Sequence, residues 1–401
     1  MTMNRTPLLA FRGPRQAAGF TIIELMVGML VGLLATVVMF QVFAVSEGQK
    51  RTTTGAGDAQ QNGVGSVFVI ERDARMAGFG INYLPMIGCP VSGYNSTATA
   101  ATKTFGFAMA PYVIVNGAAG ASDTLTIAYG DTRSFSSPIK LAADMASAGA
   151  VIKVYSRYGI APGDLFILAS TSQPTCTLYQ VQDRPGSDGI AHGPGSFTDD
   201  SGNPRTTTYN AGAGGNSIVL PSSGTPVTYL KWDLSKRRGG RVINMGQAPT
   251  VVTYAIEGNQ LVANNVLSPG EKVVVSDGVI QFQVQYGFDF EGDGAIVSTA
   301  PTVTTLTGAA DQWADTLPAN PTTAMYAGII GIRFAVVSRS ATPERADAVS
   351  GLCPTQVPPR WLAADRDIDV SADPNWKCYR YRVFEVTVPG RNLAWAPDEA
   401  L

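Results

Sequence analysis

The chain has 401 residues, of which 45% are hydrophobic and 15% are charged, and its formal net charge is −2. This apolar content is enough for a folded core and excludes a wholly disordered chain. The near-neutral charge argues against nucleic acid as a direct partner, because phosphate binding needs a concentrated basic surface. His192 is the only histidine, so any mechanism or metal site that needs two imidazoles is excluded.

The chain begins with a basic leader that is followed by an apolar helix. The leader, residues 1–19, contains no acid, and its basic residues are Arg5, Arg12 and Arg15. Residues 20–45 include twenty apolar residues and one charged residue, Glu24. A helix of this length is about 39 Å long, which exceeds the roughly 30 Å hydrocarbon core of a bilayer. We therefore expect one membrane span with a cytoplasmic N-terminus and an exported remainder.

An ordinary secretory signal peptide is the first alternative for this segment. Its apolar region is typically about 7–15 residues long and is followed by a small-residue cleavage site. Here the apolar run is longer, and Val45-Ser46-Glu47 is a poor cleavage site. The small residues Ala17, Ala18 and Gly19 precede the run instead, so cleavage after them would leave the apolar helix on the mature protein.

Glu24 is the most informative residue of the apolar segment. A charged side chain well inside a bilayer costs about 2.5–3.5 kcal/mol on insertion scales, so an intramembrane acid usually has a partner. One interpretation is that Glu24 lies close enough to the helix end to reach the lipid headgroups. The other follows from cleavage after Gly19, which turns the Phe20 nitrogen into a charged amine. Glu24 would then pair with the amine of a neighbouring copy and set the stagger between packed helices.

The segment Gly19-Phe20-Thr21-Ile22-Ile23-Glu24-Leu25-Met26-Val27 resembles the processing site of type IV prepilins and type II secretion pseudopilins. In that family, prepilin peptidase cuts after the glycine, the new phenylalanine amine is methylated, and the glutamate neutralises the N-terminus of a neighbouring subunit during assembly. The resemblance therefore implies cleavage between Gly19 and Phe20, N-methylation of Phe20 and an assembly role for Glu24. It covers the junction, the acid and the apolar run.

Beyond the apolar run, the pattern predicts that the same helix continues to about residue 78. Gly55, Gly57 and Gly63 weaken it, and Gly78 is a plausible C-terminal stop. A second, amphipathic half is expected to pack on a globular domain. Its predicted apolar face consists of Val64, Val67, Phe68, Ala74 and Ala77.

The remainder of the chain reads as strands and loops. Short β-branched runs predict strands at 123–129, 151–155, 164–169, 175–181, 273–288, 329–340 and 381–388. The run 273–288 has the cleanest period of two, which predicts one buried and one solvated face. The stretches 91–122, 183–216, 297–325 and 341–377 are expected to be loops. The predicted fold is α+β: a leader at 1–19, a long helix over 20–79 and an antiparallel β-sheet domain over 80–401.

Scattered blocks of the exported part resemble the PilW group of minor pilins. They are Ile70 to Phe79, Ser122 to Thr126, Gly163-Asp164-Leu165, Tyr286-Gly287 with Asp293-Gly294, and Phe384 to Leu393. The resemblance implies a non-enzymatic subunit without a cofactor, which is inserted in the inner membrane with a periplasmic domain and then assembled into a surface pilus. The implied partners are prepilin peptidase, the major pilin, other minor pilins and a tip adhesin. Twitching motility and adhesion would follow from this role.

Two other functions are compatible with the same N-terminus. A minor pseudopilin of a type II secretion system shares its chemistry and differs in phenotype, with loss of protein secretion in place of loss of motility. An anchored surface enzyme or adhesin could use a pilin-like leader for display. Catalytic turnover or glycan binding by the exported domain would reveal this last function.

The exported domain contains four cysteines, an even number that predicts disulfides in an oxidising compartment. Three connectivities are possible. We favour Cys353–Cys378, which closes the smaller loop, together with Cys89–Cys176. Free buried thiols are the alternative.

Three further features are candidates for chemistry. Asp289, Glu291 and Asp293 alternate ahead of Gly294 like the opening of a calcium loop, but the twelfth position is Ala300, where a bidentate acid is expected. A solvated turn is the simpler interpretation, and calcium binding is the alternative. His192 lies in a glycine-rich segment and is expected to be a solvated loop residue. A basic cluster of Lys236, Arg237, Arg238 and Arg241 is expected to be a solvated turn, and contact with DNA or an acidic partner is the alternative.

Overall fold

The computed structural model describes residues 19–393 apart from 82, 100, 133–136, 146, 172–175, 200, 212–228, 297–300, 307–309 and 348–349. The chain divides into two compact units, Met1–Thr54 and Gly55–Leu401. The helix α1 (Ile22–Met76) contributes its first part to one unit and its last part to the other. These bounds agree with the predicted helix over 20–78 to within two residues at each end.

In the first unit, the apolar side chains of α1 are exposed. Ile22, Leu30 and Phe40 are among them, and no residue in the most hydrophobic stretch of the helix is buried. Within the described part of the chain, α1 is the one helix that is long and apolar enough to cross a membrane, judged by its length and composition.

In the second unit, α1 packs through a face of mostly small residues. The buried residues of the helix are Gly55, Ala59, Gly63, Ser66, Ile70, Asp73 and Ala74. Ala74 and Ala77 are buried as predicted, and Val67 packs against the core. The prediction was wrong for Val64 and Phe68, which are 51% and 66% exposed. The apolar pattern missed the glycines and the serine, which are not hydrophobic but permit a close approach.

The close approach is to the strands that follow later in the chain. A Cβ on Gly63 would lie 1.9 Å from the Phe384 ring, and a Cβ on Gly55 would lie 3.1 Å from the Cβ of Ser340. The Ser338 hydroxyl donates to the carbonyl of Ala59 at 2.7 Å. A larger side chain at Gly63 therefore has no room unless Phe384 moves.

The described part of the second unit contains three main sheets, and the first has six strands. The strands Pro90–Tyr94 and Cys176–Gln180 pair in parallel, and the other pairs of this sheet are antiparallel. In spatial order its strands are β2 (Thr104–Ala108), β1 (Pro90–Tyr94), β8 (Cys176–Gln180), β7 (Leu165–Ser170), β12 (Gly240–Gly246) and β5 (Ile139–Lys140).

The second and third sheets have five strands each. The second is antiparallel throughout. In the third, the strands Thr302–Thr305 and Gln312–Thr316 are parallel, and the other pairs are antiparallel. The second runs β15 (Lys272–Asp277), β14 (Gln260–Asn265), β13 (Thr250–Glu257), β4 (Thr124–Tyr129) and β3 (Tyr112–Val115). The third runs β17 (Thr302–Thr305), β18 (Gln312–Thr316), β16 (Val279–Phe288), β19 (Ile329–Arg339) and β22 (Tyr381–Pro389).

Smaller elements complete the described fold. The two-stranded pairs are β6 (Ile152–Lys153) with β9 (Gly189–Ile190), β10 (Ser196–Thr198) with β11 (Pro204–Thr206), and β20 (Arg360–Trp361) with β21 (Arg366–Asp367). The short helices are α2 (Thr323–Ala327) and the 3-10 turns Leu84–Met86, Ala118–Gly120 and Trp376–Cys378. The structure therefore has the predicted α+β class. All four stretches expected to be loops contain strands.

The largest core lies between α1 and the second and third sheets. Ile70, Ala74 and Ala77 of the helix segment pack there with residues such as Leu125 of β4 and Phe334 of β19. Two further clusters cover the two faces of the first sheet.

Asp73 is a buried charge in the face of α1 that meets the second sheet. Its carboxylate accepts hydrogen bonds from the hydroxyls of Tyr254 at 2.7 Å and Tyr129 at 3.2 Å. It also forms an ion pair with Arg72, at 2.9 Å. Burial, followed by the contact with this carboxylate, raises the pKa of Tyr254, so the phenol remains a donor. The three partners compensate the cost of burying the charge and fix the helix against β4 and β13.

The run 273–288 is two strands, β15 and β16, with a turn at Gly278 between them. The prediction of a solvated face was wrong for β16, because Gln281, Gln283 and Gln285 are 8% exposed or less. The pair β20–β21 brings Trp361 and Arg366 over this face. Arg366 donates to Gln283, and Arg333 donates to Gln285. The alternating glutamines of β16 therefore lie on a face that is covered by the side chains of Arg333 and Arg366, and this face is not exposed to solvent.

Candidate functional site

The junction predicted to be cleaved lies immediately before α1. Gly19 is the first described residue, Phe20 is 79% exposed and the helix begins at Ile22. The Thr21 hydroxyl accepts a hydrogen bond from the Glu24 amide at 3.3 Å, as an N-cap side chain does. Residues 1–18, with the three arginines of the predicted leader, lie outside the described residues.

Glu24 lies in the first turn of α1. A carboxylate at this position is favoured electrostatically by the positive end of the helix dipole. Among the described residues, the Glu24 carboxylate has no hydrogen-bond or ion-pair partner. The next acid along the helix, Glu47, forms an ion pair with Arg51 at 3.3 Å. The Glu24 carboxylate is therefore available to a group outside the described residues, whereas the charge of Glu47 is compensated within the helix by Arg51.

Gly28 and Gly32 follow Glu24 on the exposed apolar surface. A Cβ at either position would have no neighbour within 4 Å in the protein. The Thr36 hydroxyl donates to the Gly32 carbonyl at 2.7 Å, which satisfies this polar side chain within the helix. The small-xxx-small spacing of the two glycines allows the close approach of another helix in lipid.

Both favoured disulfides are present in the structure. Cys89 is bonded to Cys176 and Cys353 to Cys378, and no cysteine is free. The first bond joins the residue before β1 to the start of β8, next to the parallel pair Val91 and Cys176. The second closes the segment that carries β20 and β21 and ends at a 3-10 turn. Neither bond touches the N-terminal junction, so both serve the second unit.

The acidic turn after β16 differs from the predicted ligand set. Asp289 and Asp293 lie close together as expected, but the third member of their cluster is Asp311, which comes just before β18. Glu291 is exposed and is not part of this cluster. Sequence spacing could not have found Asp311, because strand pairing brings it to the turn.

His192 is buried, and the prediction of a solvated histidine was wrong. Its side chain is 3% exposed, its ring centroid lies 4.3 Å from that of Tyr179, and Nε2 lies 3.0 Å from the carbonyl oxygen of Ala150. Burial lowers the pKa of the imidazole, which therefore stays neutral at physiological pH. These contacts make His192 a packing residue of the first sheet.

The basic cluster is split by the fold. Asp233 forms an ion pair with Lys236. The two residues lie in a turn that is closed by an antiparallel backbone bridge between Asp233 and Arg238. Arg241 is instead 8% exposed, with its guanidinium over the rings of Trp232 and Tyr83. The four side chains do not form the continuous basic surface that a polyanion would need.

Comparisons with known proteins identify no relative of this chain. No family model, no curated protein and no solved structure matches it.

Proposed function

We propose that the protein is a minor type IV pilin of the PilW kind, a structural subunit that helps to start pilus assembly and lies in the tip complex. It would enter the inner membrane with its N-terminus in the cytoplasm and its second unit in the periplasm. Prepilin peptidase would then cut between Gly19 and Phe20 and methylate the new amine. Other minor pilins, the major pilin and a tip adhesin would be its partners in the filament, where it would support twitching motility and adhesion.

The observation that carries this proposal is the carboxylate of Glu24, which lies in the first turn of an exposed apolar helix and has no partner among the residues that the structure describes. In a bilayer this charge is costly, by about 2.5–3.5 kcal/mol on insertion scales. Cleavage would make Glu24 the fifth residue of the mature chain, four positions from the Phe20 amine and close to the helix start at Ile22. This is too near its own helix start for an ideal pair, so each of the two charges would be better compensated by the other in a neighbouring subunit. Assembly would then neutralise two charges at once in a medium of low dielectric constant.

The surfaces of α1 support the same proposal. Its large apolar residues from Ile22 to Val45 are exposed, and Gly28 and Gly32 leave room for another helix. Such a surface is stable in lipid and equally stable within a bundle of similar helices. Transfer from membrane to filament would therefore change the packing of this segment without exposing it to water.

The second unit suits an exported structural part. Two disulfides fit an oxidising compartment such as the periplasm. The chain's single imidazole is buried against Tyr179 and is not placed to act as a general base. The disulfides support export of the second unit, and the position of the imidazole supports a structural subunit over an enzyme with a histidine base.

Deletion of this chain in its own bacterium tests the proposal against its nearest rival. We expect loss of surface pili and of twitching motility, with type II protein secretion unchanged. Expression of the intact chain from a plasmid should restore both. Normal piliation with loss of secretion would instead identify a pseudopilin, and normal piliation with normal secretion would refute both assembly functions.

A further inference from the structure

We propose that Asp289, Asp293 and Asp311 bind a calcium ion at the end of the third sheet. This inference is independent of the pilin proposal, because it rests on the second unit alone. The three carboxylates each place one oxygen within 4.8 Å of the oxygens of the other two.

Strand pairing explains why the first and last of these residues meet. Strands β16 and β18 are antiparallel neighbours, and Phe288 at the end of one pairs with Gln312 at the start of the other. Asp289 follows the first of these residues and Asp311 precedes the second, so the two acids occupy facing positions at one end of the pair. The turn after β16 then returns Asp293 to the same place.

The separation of the oxygens suits calcium. Calcium binds oxygen ligands at about 2.3–2.6 Å, so two ligands on opposite sides of one ion lie about 4.6–5.2 Å apart. Magnesium binds at about 2.0–2.1 Å and needs near-ideal octahedral geometry, which limits opposite ligands to about 4.2 Å. Because the three oxygens all lie within 4.8 Å of one another, one calcium ion can contact all of them. A site made from a turn and two strand ends also has the irregular geometry that calcium tolerates.

Asp311 provides an independent indication of a missing ligand. It is 4% exposed, and its Oδ1 accepts the amide hydrogen of Phe290 at 3.0 Å. Its Oδ2 is buried and has no hydrogen-bond partner among the described residues. A buried carboxylate oxygen without a donor is unfavourable, and a bound cation would satisfy it.

Asp289 is held in a fixed orientation by the same turn. It is 7% exposed, and its two oxygens accept the amide hydrogens of Gly292 at 2.6 Å and Gly294 at 2.7 Å. Both glycines have positive φ angles, 76° and 82°, which other residues rarely adopt. Each carboxylate oxygen has two acceptor positions, so these hydrogen bonds leave capacity for a cation.

The local charge also favours a cation. Asp289 and Asp311 are buried acids near a third acid, and in the described part of the chain no lysine or arginine forms an ion pair with any of the three. Like charges in close contact repel one another strongly at low dielectric constant. One divalent ion would neutralise two of the three charges. It would also connect the end of β16 to the start of β18.

Calcium titration of the full-length chain in detergent micelles, after removal of metals with a chelator, tests the proposal. We expect heat of binding to one site by isothermal titration calorimetry, with a Kd of at most about 1 mM, the range of extracellular calcium modules. Calcium at saturation should raise the Tm, and magnesium should bind at least about tenfold more weakly. A wild-type chain that binds no calcium, or that prefers magnesium, would overturn the assignment.

Three variants locate the site. Asp293→Asn changes an exposed residue, and Asp311→Asn keeps the Oδ1 that accepts from Phe290. Each should weaken calcium binding at least about tenfold, since even outer-shell changes have effects of that size. Glu291→Gln is the matched control, because it removes an acid from the same turn outside the cluster, and it should bind like the wild type. Unchanged binding by a folded Asp293→Asn chain, or loss of binding by Glu291→Gln, would refute the site.

Discussion

Replacement of Glu24 by alanine should leave membrane insertion and cleavage unchanged and reduce recovery of the chain in sheared pili by about two orders of magnitude. In the membrane, the unpaired carboxylate costs about 2.5–3.5 kcal/mol, and pairing with a neighbouring Phe20 amine in the filament would remove that cost. Alanine is uncharged and does not incur this cost in the bilayer, so the variant loses this driving force for leaving the membrane. A difference of about 2.8 kcal/mol corresponds to a factor of about 100.

Glu47→Ala is the matched control for this experiment. Glu47 is on the same helix and is exposed, but it is paired with Arg51 within the helix at 3.3 Å. Such a pair contributes only about 0.3–0.5 kcal/mol. The control variant should therefore be processed and assembled normally, as judged by quantitative immunoblots of the membrane and pilus fractions. Equal recovery of Glu24→Ala and Glu47→Ala in pili would contradict the proposed role of Glu24.

Gly63→Ala should destabilise the second unit by about 1–3 kcal/mol, the usual cost of overpacking a tight contact. The added methyl group would lie 1.9 Å from the ring of Phe384 on β22, so helix and strand must separate or the ring must turn. In a helix interior, alanine is otherwise more stabilising than glycine by about 0.5–1 kcal/mol. The steric effect of this substitution therefore opposes its favourable effect on helix propensity. Urea unfolding of the full-length chain in micelles, followed by tryptophan fluorescence, measures the effect.

Gly65→Ala separates packing from helix propensity. Gly65 is exposed two residues further along the same helix, and a Cβ there would have no neighbour within 4 Å. We expect this variant to be more stable than the wild type by about 0.5–1 kcal/mol. A Gly63→Ala chain that is as stable as Gly65→Ala would show that the close helix–sheet contact does not exist in solution.

The sequence was sufficient for features that depend on local pattern. The length of α1, its apolar first part and the α+β class follow from composition and periodicity, and the structure has all three. The favoured cysteine pairs are also the ones present, although spacing alone left three connectivities open. For the helix and the fold class, the deciding information lies within single segments. For the cysteines, the expected compartment predicts disulfides but does not decide which cysteines pair.

Features that depend on what covers a surface were not predictable. The buried face of α1 contains Gly63 and Ser66, which a hydrophobicity pattern reads as weak positions, while Phe68 remains exposed. The glutamines of β16 looked solvated and are buried under Arg366 and its neighbours. Both surfaces are covered by residues from a distant part of the chain. The contact therefore requires small side chains on α1 and hydrogen-bonding side chains on β16, and not hydrophobic ones.

The acidic cluster shows the same limit at the level of a site. Two of its three residues, Asp289 and Asp293, were identified from their spacing in the turn. The third residue, Asp311, is brought to the cluster by the pairing of β16 with β18, whereas the sequence motif predicted Glu291 in its place. A search for a twelfth-position acid in one loop could not detect a cluster divided between two strands.

The mature N-terminus of the native chain is the most direct test of the proposed function. The chain purified from the membranes of its own bacterium should begin at Phe20, and intact-mass and N-terminal peptide analysis should find one methyl group on that amine. In the proposed function, this terminus supplies the positive charge that would pair with Glu24 of a neighbouring subunit. A native chain that still begins at Met1, or that is cut after the apolar segment and released without α1, would contradict the account.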